Sequence, residues 1–336
     1  MDSTLKELQA KTQLAREISH RQDAEETAKR LVQQVQGLEA KLNYVLELEE
    51  HQAKHGVVIE ATDSKESESV AVVQASDWHS EETVDAATVN GFNRFNLRIA
   101  ESRIKTFFTN VIKLVDLNRN ATRIDELVLH LGGDMITGYI HLELIEGNSL
   151  SPTQAVLKVM GLINAGLDYI VANGNFKRIT VVCSIGNHGR TTVKRQIATG
   201  YKNSFEWLLY NVLNTVQRKG VQFVIEPSYH SYVKIYGHDY RFHHGDAFKF
   251  GGGVGGITIP VLKKIAQWDK IRPAKMDFFG HFHQHVIHSK FICNGCLIGY
   301  SPFSVEIGAE FETPRQSFSL IEKQHGRTIV APIFLG

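Results

Sequence analysis

Cysteine is scarce in this chain. Only Cys183, Cys293 and Cys296 occur among 336 residues, which excludes a disulfide framework and points to a reducing compartment. The first 22 residues are polar and charged and lack the apolar core of a secretory signal. No apolar run approaches the roughly 18 residues of a membrane span, so none is expected and the chain reads as cytoplasmic, with no membrane partner. A net charge of one sign is also missing, since 37 basic and 36 acidic residues leave a formal charge of +1. Bulk electrostatics therefore call for neither nucleic acid nor membrane. The distribution is less even. Residues 1–70 hold 14 acidic and 9 basic side chains, which leaves the remainder net basic by six.

Residues 3–50 contain no proline, and no glycine except Gly37, and are rich in the strong helix formers Ala, Leu, Glu, Lys, Gln and Arg. Within them Ala24, Ala28, Leu31, Val35, Leu38, Leu42 and Val45 recur at alternating spacings of four and three. That is the seam of a coiled coil, through which the chain is expected to form a homo-oligomer, or the face of one amphipathic helix packed on its own domain. The segment 1–52 is read as this helix or coiled coil, 53–69 as a polar linker and 70–336 as the catalytic domain. Beyond residue 70 short apolar runs alternate with helical stretches, expected at 84–118, 152–173, 193–218 and 259–269. Hairpins follow, so the pattern predicts an α/β core finished by antiparallel strands.

Five segments place Asp, His or Asn at the end of an expected strand, where side chains converge on a cleft. They are VAVVQASDWH with Asp77 and His79, LVLHLGGDMITG with Asp134, ITVVCSIGNHGR with Asn187 and His188, YRFHHGD with His243, His244 and Asp246, and MDFFGHFHQ with His281 and His283. Singly each is weak. Jointly, carboxylate, imidazole and amide donors suit borderline divalent metals, and the lack of thiolates excludes a structural zinc finger.

The succession Asp-x-His, Gly-Asp, Gly-Asn-His, His-Gly and Gly-His-x-His resembles the calcineurin-like metallophosphoesterase superfamily over residues 70–300. The resemblance implies a four-layer α/β sandwich, two mixed β-sheets flanked by helices. It implies two divalent metals, manganese first, with iron, zinc or nickel as the other candidates. Asp77, His79 and His283 would hold one metal, Asn187, His244 and His281 the other, and Asp134 would bridge them. His243 is an alternative to His244; the family pattern, with the ligand directly before glycine, favours His244. The implied reaction is attack of hydroxide, made available by two cations about 4 Å apart, on phosphorus. His188 would protonate the leaving oxygen, a contribution of roughly 10²–10⁴ in rate. Asp246 is a candidate for orienting an imidazole.

The chain departs from the family in places. Many members carry an acidic residue after Gly-Asn-His, where this chain has Gly189 and Arg190. Arg190 is a candidate phosphate clamp. GGDMITG lacks the Asp-Arg-Gly continuation of serine/threonine protein phosphatases, so the SbcD-like nuclease and phosphodiesterase branch is the nearer likeness. Residues 189–205 hold Arg190, Lys194, Arg195 and Lys202 without an acid, which suits a nucleic-acid substrate. The expected function is phosphodiester hydrolysis. A phosphomonoesterase or small-nucleotide hydrolase, and a non-catalytic module with a structural metal site, are the alternatives. FGGGVGG at 250–256 reads as a flexible loop at the cleft rim rather than a dinucleotide site. Cys293-Asn294-Gly295-Cys296 reads as a hairpin with two facing thiols.

Overall fold

The computed structural model describes residues 2–55, 67–249, 256–306 and 308–336. Most of the expected linker, and residues 250–255 of the glycine-rich loop, lie outside the described residues. The chain divides into two units, Met1–Asp63 and Ser64–Gly336.

In the first unit, helix α1 spans Asp2–His55 and passes through Gly37 without a break. Its described side chains from residue 5 to 47 are exposed throughout. The seam residues Leu31, Val35, Leu38, Leu42 and Val45 retain 49–64% of their surface.

The second unit holds two sheets. Strands β1 (Glu68–Ala75), β2 (Arg123–Leu131), β3 (Arg178–Cys183), β4 (Val221–Ile225), β10 (Arg315–Glu322) and β11 (Gly326–Phe334) form a six-stranded sheet in the order β11-β10-β1-β2-β3-β4. The β1 to β4 pairings are parallel, and β10 and β11 add an antiparallel edge. Strands β5 (Ser231–Ile235), β6 (His238–Phe242), β7 (Asp277–Phe279), β8 (Val286–Ile287) and β9 (Phe291–Cys293) form a second mixed sheet in the order β5-β6-β7-β9-β8.

Strand alternation explains the layering. Ala71, Val73 and Ala75 of β1, Leu127, Leu129 and Leu131 of β2, and Ile179 and Val181 of β3 face one way into the largest core. Helices α2 (Leu97–Arg119), α4 (Pro152–Asn173) and α5 (Phe205–Thr215) complete that core, with the short α3 (Leu142–Gly147) between α2 and α4 in the chain. The intervening Val70, Val72, Val128 and Val182 face the other way and meet Ile235, Tyr240, Phe242, Phe278 and Ile292 of the second sheet. Period-two alternation with both faces apolar is what a sheet covered on both sides requires. The outer face of the second sheet, with Phe279, Phe291 and Cys293, packs on Val261 and Ile265 of α6 (Thr258–Trp268). The result is a four-layer α/β sandwich, two mixed sheets flanked by helices.

Four expectations need correction. The helix expected over 84–118 is interrupted: a 3₁₀ turn at Ala86–Val89 ends at Asn90 and Gly91, both left-handed, and α2 starts anew after the Asn96 cap. The helix expected over 193–218 begins only at Phe205, capped by Ser204. The hairpin expected around Asn294-Gly295 does not form, because residues 294–300 form no strand to pair back on β9. Asn294 instead bonds to Ser76 and Gln316, and Cys293 and Cys296 enter different cores. Finally, α4 is long and apolar enough to cross a membrane by length and composition. Lys158 and Asp168 hide that in the sequence, and the helix buries Ala155, Val159, Ile163, Leu167 and Ile170 in the main core.

Candidate metal centre

The motif residues all follow strand C-termini. Asp77 and His79 follow β1, Asp134 follows β2, Asn187 and His188 follow β3, His244 follows β6, and His281 and His283 follow β7. The loops interlock through their backbones. Asp77 N donates to Gly133 O at 3.0 Å, Trp78 N and His79 N donate to Asp134 O at 2.8 and 3.1 Å, and Gly280 N donates to His244 O at 2.7 Å. Asp77, His79, Asp134, His281 and His283 have φ values of 46–73°, a region that costs a non-glycine residue about 1–3 kcal/mol. Glycines permit the closest approaches. A Cβ at Gly280 would overlap Asp77 Oδ2, and one at Gly186 would overlap Asp134 Oδ1.

Two donor groups result. Asp77, His79 and His283 offer atoms lying within 4.8 Å of one another, as do Asp134, His244 and His281. His79 Nε2 lies 3.2 Å from His283 Nε2, and His283 Nε2 lies 3.7 Å from Asp77 Oδ1. In the other group His244 Nε2 is 3.0 Å from Asp134 Oδ2 and 3.2 Å from the Asn187 side-chain oxygen. Asp134 also reaches His79 and His188 within 4.8 Å, so it lies between the two groups. His188 N donates to Asp134 Oδ1 at 2.8 Å.

At three histidines the ring nitrogen pointing away from the centre has a partner, while His283 Nδ1 is buried without one among the described residues. His244 Nδ1 donates to Gly132 O at 2.8 Å and His188 Nδ1 to Thr137 O at 3.0 Å, while His79 Nδ1 sits 3.2 Å from Thr137 Oγ1. In these three the Nε2 is left facing inward, the usual arrangement of a metal-ligating imidazole.

Burial lowers His283 to about 3 and His281 to about 4, and burial with His188 beside it holds His79 well below its ordinary value. Burial works against ionisation of Asp134, yet the neighbouring His244 and His188 hold its carboxyl well below the usual range. Burial pushes Asp77 up to about 7 against the pull of His244, and Asp134 adds to the rise. His244 runs the other way: burial opposes its charge, but Asp134 beside it holds it well above its ordinary value. Imidazoles kept neutral by burial at His79, His281 and His283, beside buried carboxylates, are the donor state that divalent cations require. The residues fit two such ions.

The structure separates the two adjacent histidines. His243 Nε2 meets Asp277 at 3.3 Å on the far side of the strand, among Tyr229, Phe248, Trp268 and Phe279. His244 faces the centre. Asp246 does not orient an imidazole; its carboxylate pairs with Arg195 at 2.8 Å. Arg190 is turned into its own loop. Nη1 donates to Asn187 O at 2.6 Å, Nε to Thr192 O at 3.1 Å and Nη2 to Val193 O at 3.4 Å. That geometry braces the Asn187 loop and leaves little of the fork for a phosphate. A pocket lined by Asn187, Arg190, Arg195, Tyr201, Tyr229 and Asp246 opens beside these residues.

Sequence reasoning missed two carboxylates. Glu81, buried, accepts from Thr137 N at 2.8 Å and Gly138 N at 2.9 Å, and burial raises it to about 7. Glu206, also buried, accepts from Met135 N and Gly186 N, and burial with Asp134 nearby raises it to about 8. Glu81 follows Asp77 by four residues, the one available hint. Glu206 stands in a helical stretch with no signal.

Fold and side chains together define an α/β sandwich with a histidine–carboxylate centre of metal-binding type at the strand ends. No protein-family model matches the chain, and no curated protein matches it. Among solved structures it is similar to a single mutant of Vps29 from Entamoeba histolytica, at 11% identity over 78% of this chain and 98% of that one, TM-score 0.31. A predicted phosphoesterase from Streptococcus pneumoniae TIGR4 matches at 10% identity over 80% and 98%, TM-score 0.29. A hypothetical protein from Pyrococcus horikoshii OT3 matches at 10% identity over 80% and 89%, TM-score 0.39. These values leave the chemistry to be read from the side chains themselves.

Proposed function

We propose that this chain is a two-metal-dependent phosphodiester hydrolase of the calcineurin-like type, acting on nucleic acid. The observation that carries the reading is the pair of donor groups with Asp134 between them. Two divalent cations, manganese first, would supply Lewis acidity and charge neutralisation toward a phosphoryl group. The chain's own groups do the rest. His188, with Nδ1–H fixed on Thr137 O, presents Nε2 to hold a proton for the departing alkoxide. Lys194 and Lys202 are exposed on the loop before α5 and Tyr201 lines the neighbouring pocket, which favours a polyanion. Arg190 acts by holding the Asn187 loop.

The test is hydrolysis of bis-p-nitrophenyl phosphate with Mn²⁺ and its loss with EDTA. Cleavage of the monoester alone would move the assignment to a phosphomonoesterase. Labelled single- and double-stranded DNA and RNA then identify the substrate form. We also infer that α1 pairs with α1 of a second copy. Its exposed four–three seam has the periodicity that another copy of itself complements.

A further inference from the structure

The loop after β2 carries Asp134 and the loop after β3 carries Asn187. One side chain ties them together. Glu206, in the first turn of the 11-residue helix α5, accepts from Met135 N and from Gly186 N, each at 2.6 Å. Met135 directly follows Asp134 and Gly186 directly precedes Asn187. The carboxylate is fully buried, and its two oxygens divide the two loops between them. A buried carboxyl with one N–H aimed at each oxygen is a clamp of fixed span.

Gly189 completes the arrangement. It lies outside the left-handed region, so its backbone does not call for glycine. Space does. A Cβ there would lie 2.7 Å from Glu206 Cγ and 3.0 Å from its carboxyl carbon. Position 189 is the position from which a side chain would enter the volume Glu206 fills. The start of α5 is held to the same residue, with Phe205 N donating to Gly189 O at 2.8 Å.

We propose that Glu206 is the positioning residue of the metal centre, a carboxyl supplied by α5, which sets the distance between Asp134 and Asn187. This rests on the metal-centre reading. Its consequence is selective. Losing the clamp loosens the group shared by Asn187, His244 and Asp134, while Asp77, His79 and His283 lie on loops that Glu206 does not touch.

The experiment titrates the full-length protein with Mn²⁺ by calorimetry and counts sites. Wild type is expected to take two ions, and binding of none would overturn the metal-centre reading itself. Glu206→Ala is expected to weaken the site of Asn187, His244 and Asp134 about 10–100-fold, the usual effect of removing an outer partner, and to weaken the other, which shares only Asp134, by less. Glu206→Gln keeps one acceptor and turns an NH₂ toward the other amide, so it falls between the two and serves if the alanine variant does not fold. Gly189→Asp combined with Glu206→Ala returns a carboxylate to the same volume and is expected to recover the weakened site. A merely structural glutamate would weaken both sites equally, in step with the melting temperature, and would not be rescued from position 189. Wild-type affinity at both sites in Glu206→Ala or Glu206→Gln, or a double variant no better than Glu206→Ala, overturns the proposal.

Discussion

Replacing Gly186 with alanine is expected to damage the metal centre without removing a ligand. Gly186 is outside the left-handed region, so alanine is conformationally allowed and sterics act alone. Its Cβ would lie 2.7 Å from Asp134 Cγ and closer still to Asp134 Oδ1 and N, whereas ordinary contact begins at 3.4 Å. The Asp134 loop must therefore retreat by about 1 Å, several times the roughly 0.2 Å tolerance of metal–donor distances. Overpacking of this kind costs about 1–3 kcal/mol, and that range corresponds to about 5- to 150-fold in affinity. Calorimetric titration with Mn²⁺ reads the loss. Gly161→Ala is the control, since Gly161 is exposed within α4 and a Cβ there meets nothing within 4 Å. Two ions bound with wild-type affinity by Gly186→Ala would refute the close-approach argument.

His188→Ala is expected to keep both metals and lose about 10²- to 10⁴-fold in turnover; unchanged turnover in a steady-state assay removes its acid role. Arg241, fully buried, donates to Asp277 at 2.6 and 2.9 Å, so Arg241→Met is expected to destabilise by about 3–5 kcal/mol in urea melts by stranding a buried carboxylate. His230 is held at about 3, first by burial and then by His243. Below its ordinary 6.5 the unfolded chain binds the proton and the folded one does not. Its contribution is therefore complete above that value and lost as pH falls toward about 3. His230→Phe is expected to flatten the acid limb of a plot of urea midpoint against pH, and an unchanged limb counts against it. Deleting residues 1–50 is expected to lower the mass seen by light scattering; the same number of subunits would refute pairing through α1.

Much of this was legible because both sheets are buried on two faces. Apolar runs such as Val70–Val73 and Val181–Cys183 mark strands whichever face they serve. The seven ligand candidates were legible from their order along the chain, and they converge in space. What was not legible depends on contacts distant in sequence. His243 and His244 are neighbours on one strand end, so they face opposite sides. Which side holds the centre is set by pairing of β6 with β7, not by either residue. Asn294-Gly295 carries a strong local turn signal, but Asn294 is claimed by Ser76 and Gln316, and the chain crosses toward β1 instead. Arg190 and Arg195 read as free cations in sequence. Backbone carbonyls and Asp246 take up their donors, which no count of charges foretells.

The left-handed residues explain why the centre is built this way. An extended strand sends alternate side chains to opposite faces, so one strand end offers a cleft few donors. Reversing the backbone at Asp77 and again at His79, at Asp134, and at His281 and His283 turns consecutive ligand loops inward. Each reversal is unfavourable alone. The loops hold one another in it: Asp134 O accepts from Trp78 and His79, and the Asp77 carboxylate accepts from His281 N at 2.9 Å. Glu81 and Glu206 then take four further amides of the same loops. The strain is thus distributed over a closed set of hydrogen bonds in which the ligand carboxylates are themselves acceptors. A substitution that removes one acceptor, even one that never meets a metal, therefore releases the loops which that acceptor joins, as Glu206 joins those of Asp134 and Asn187.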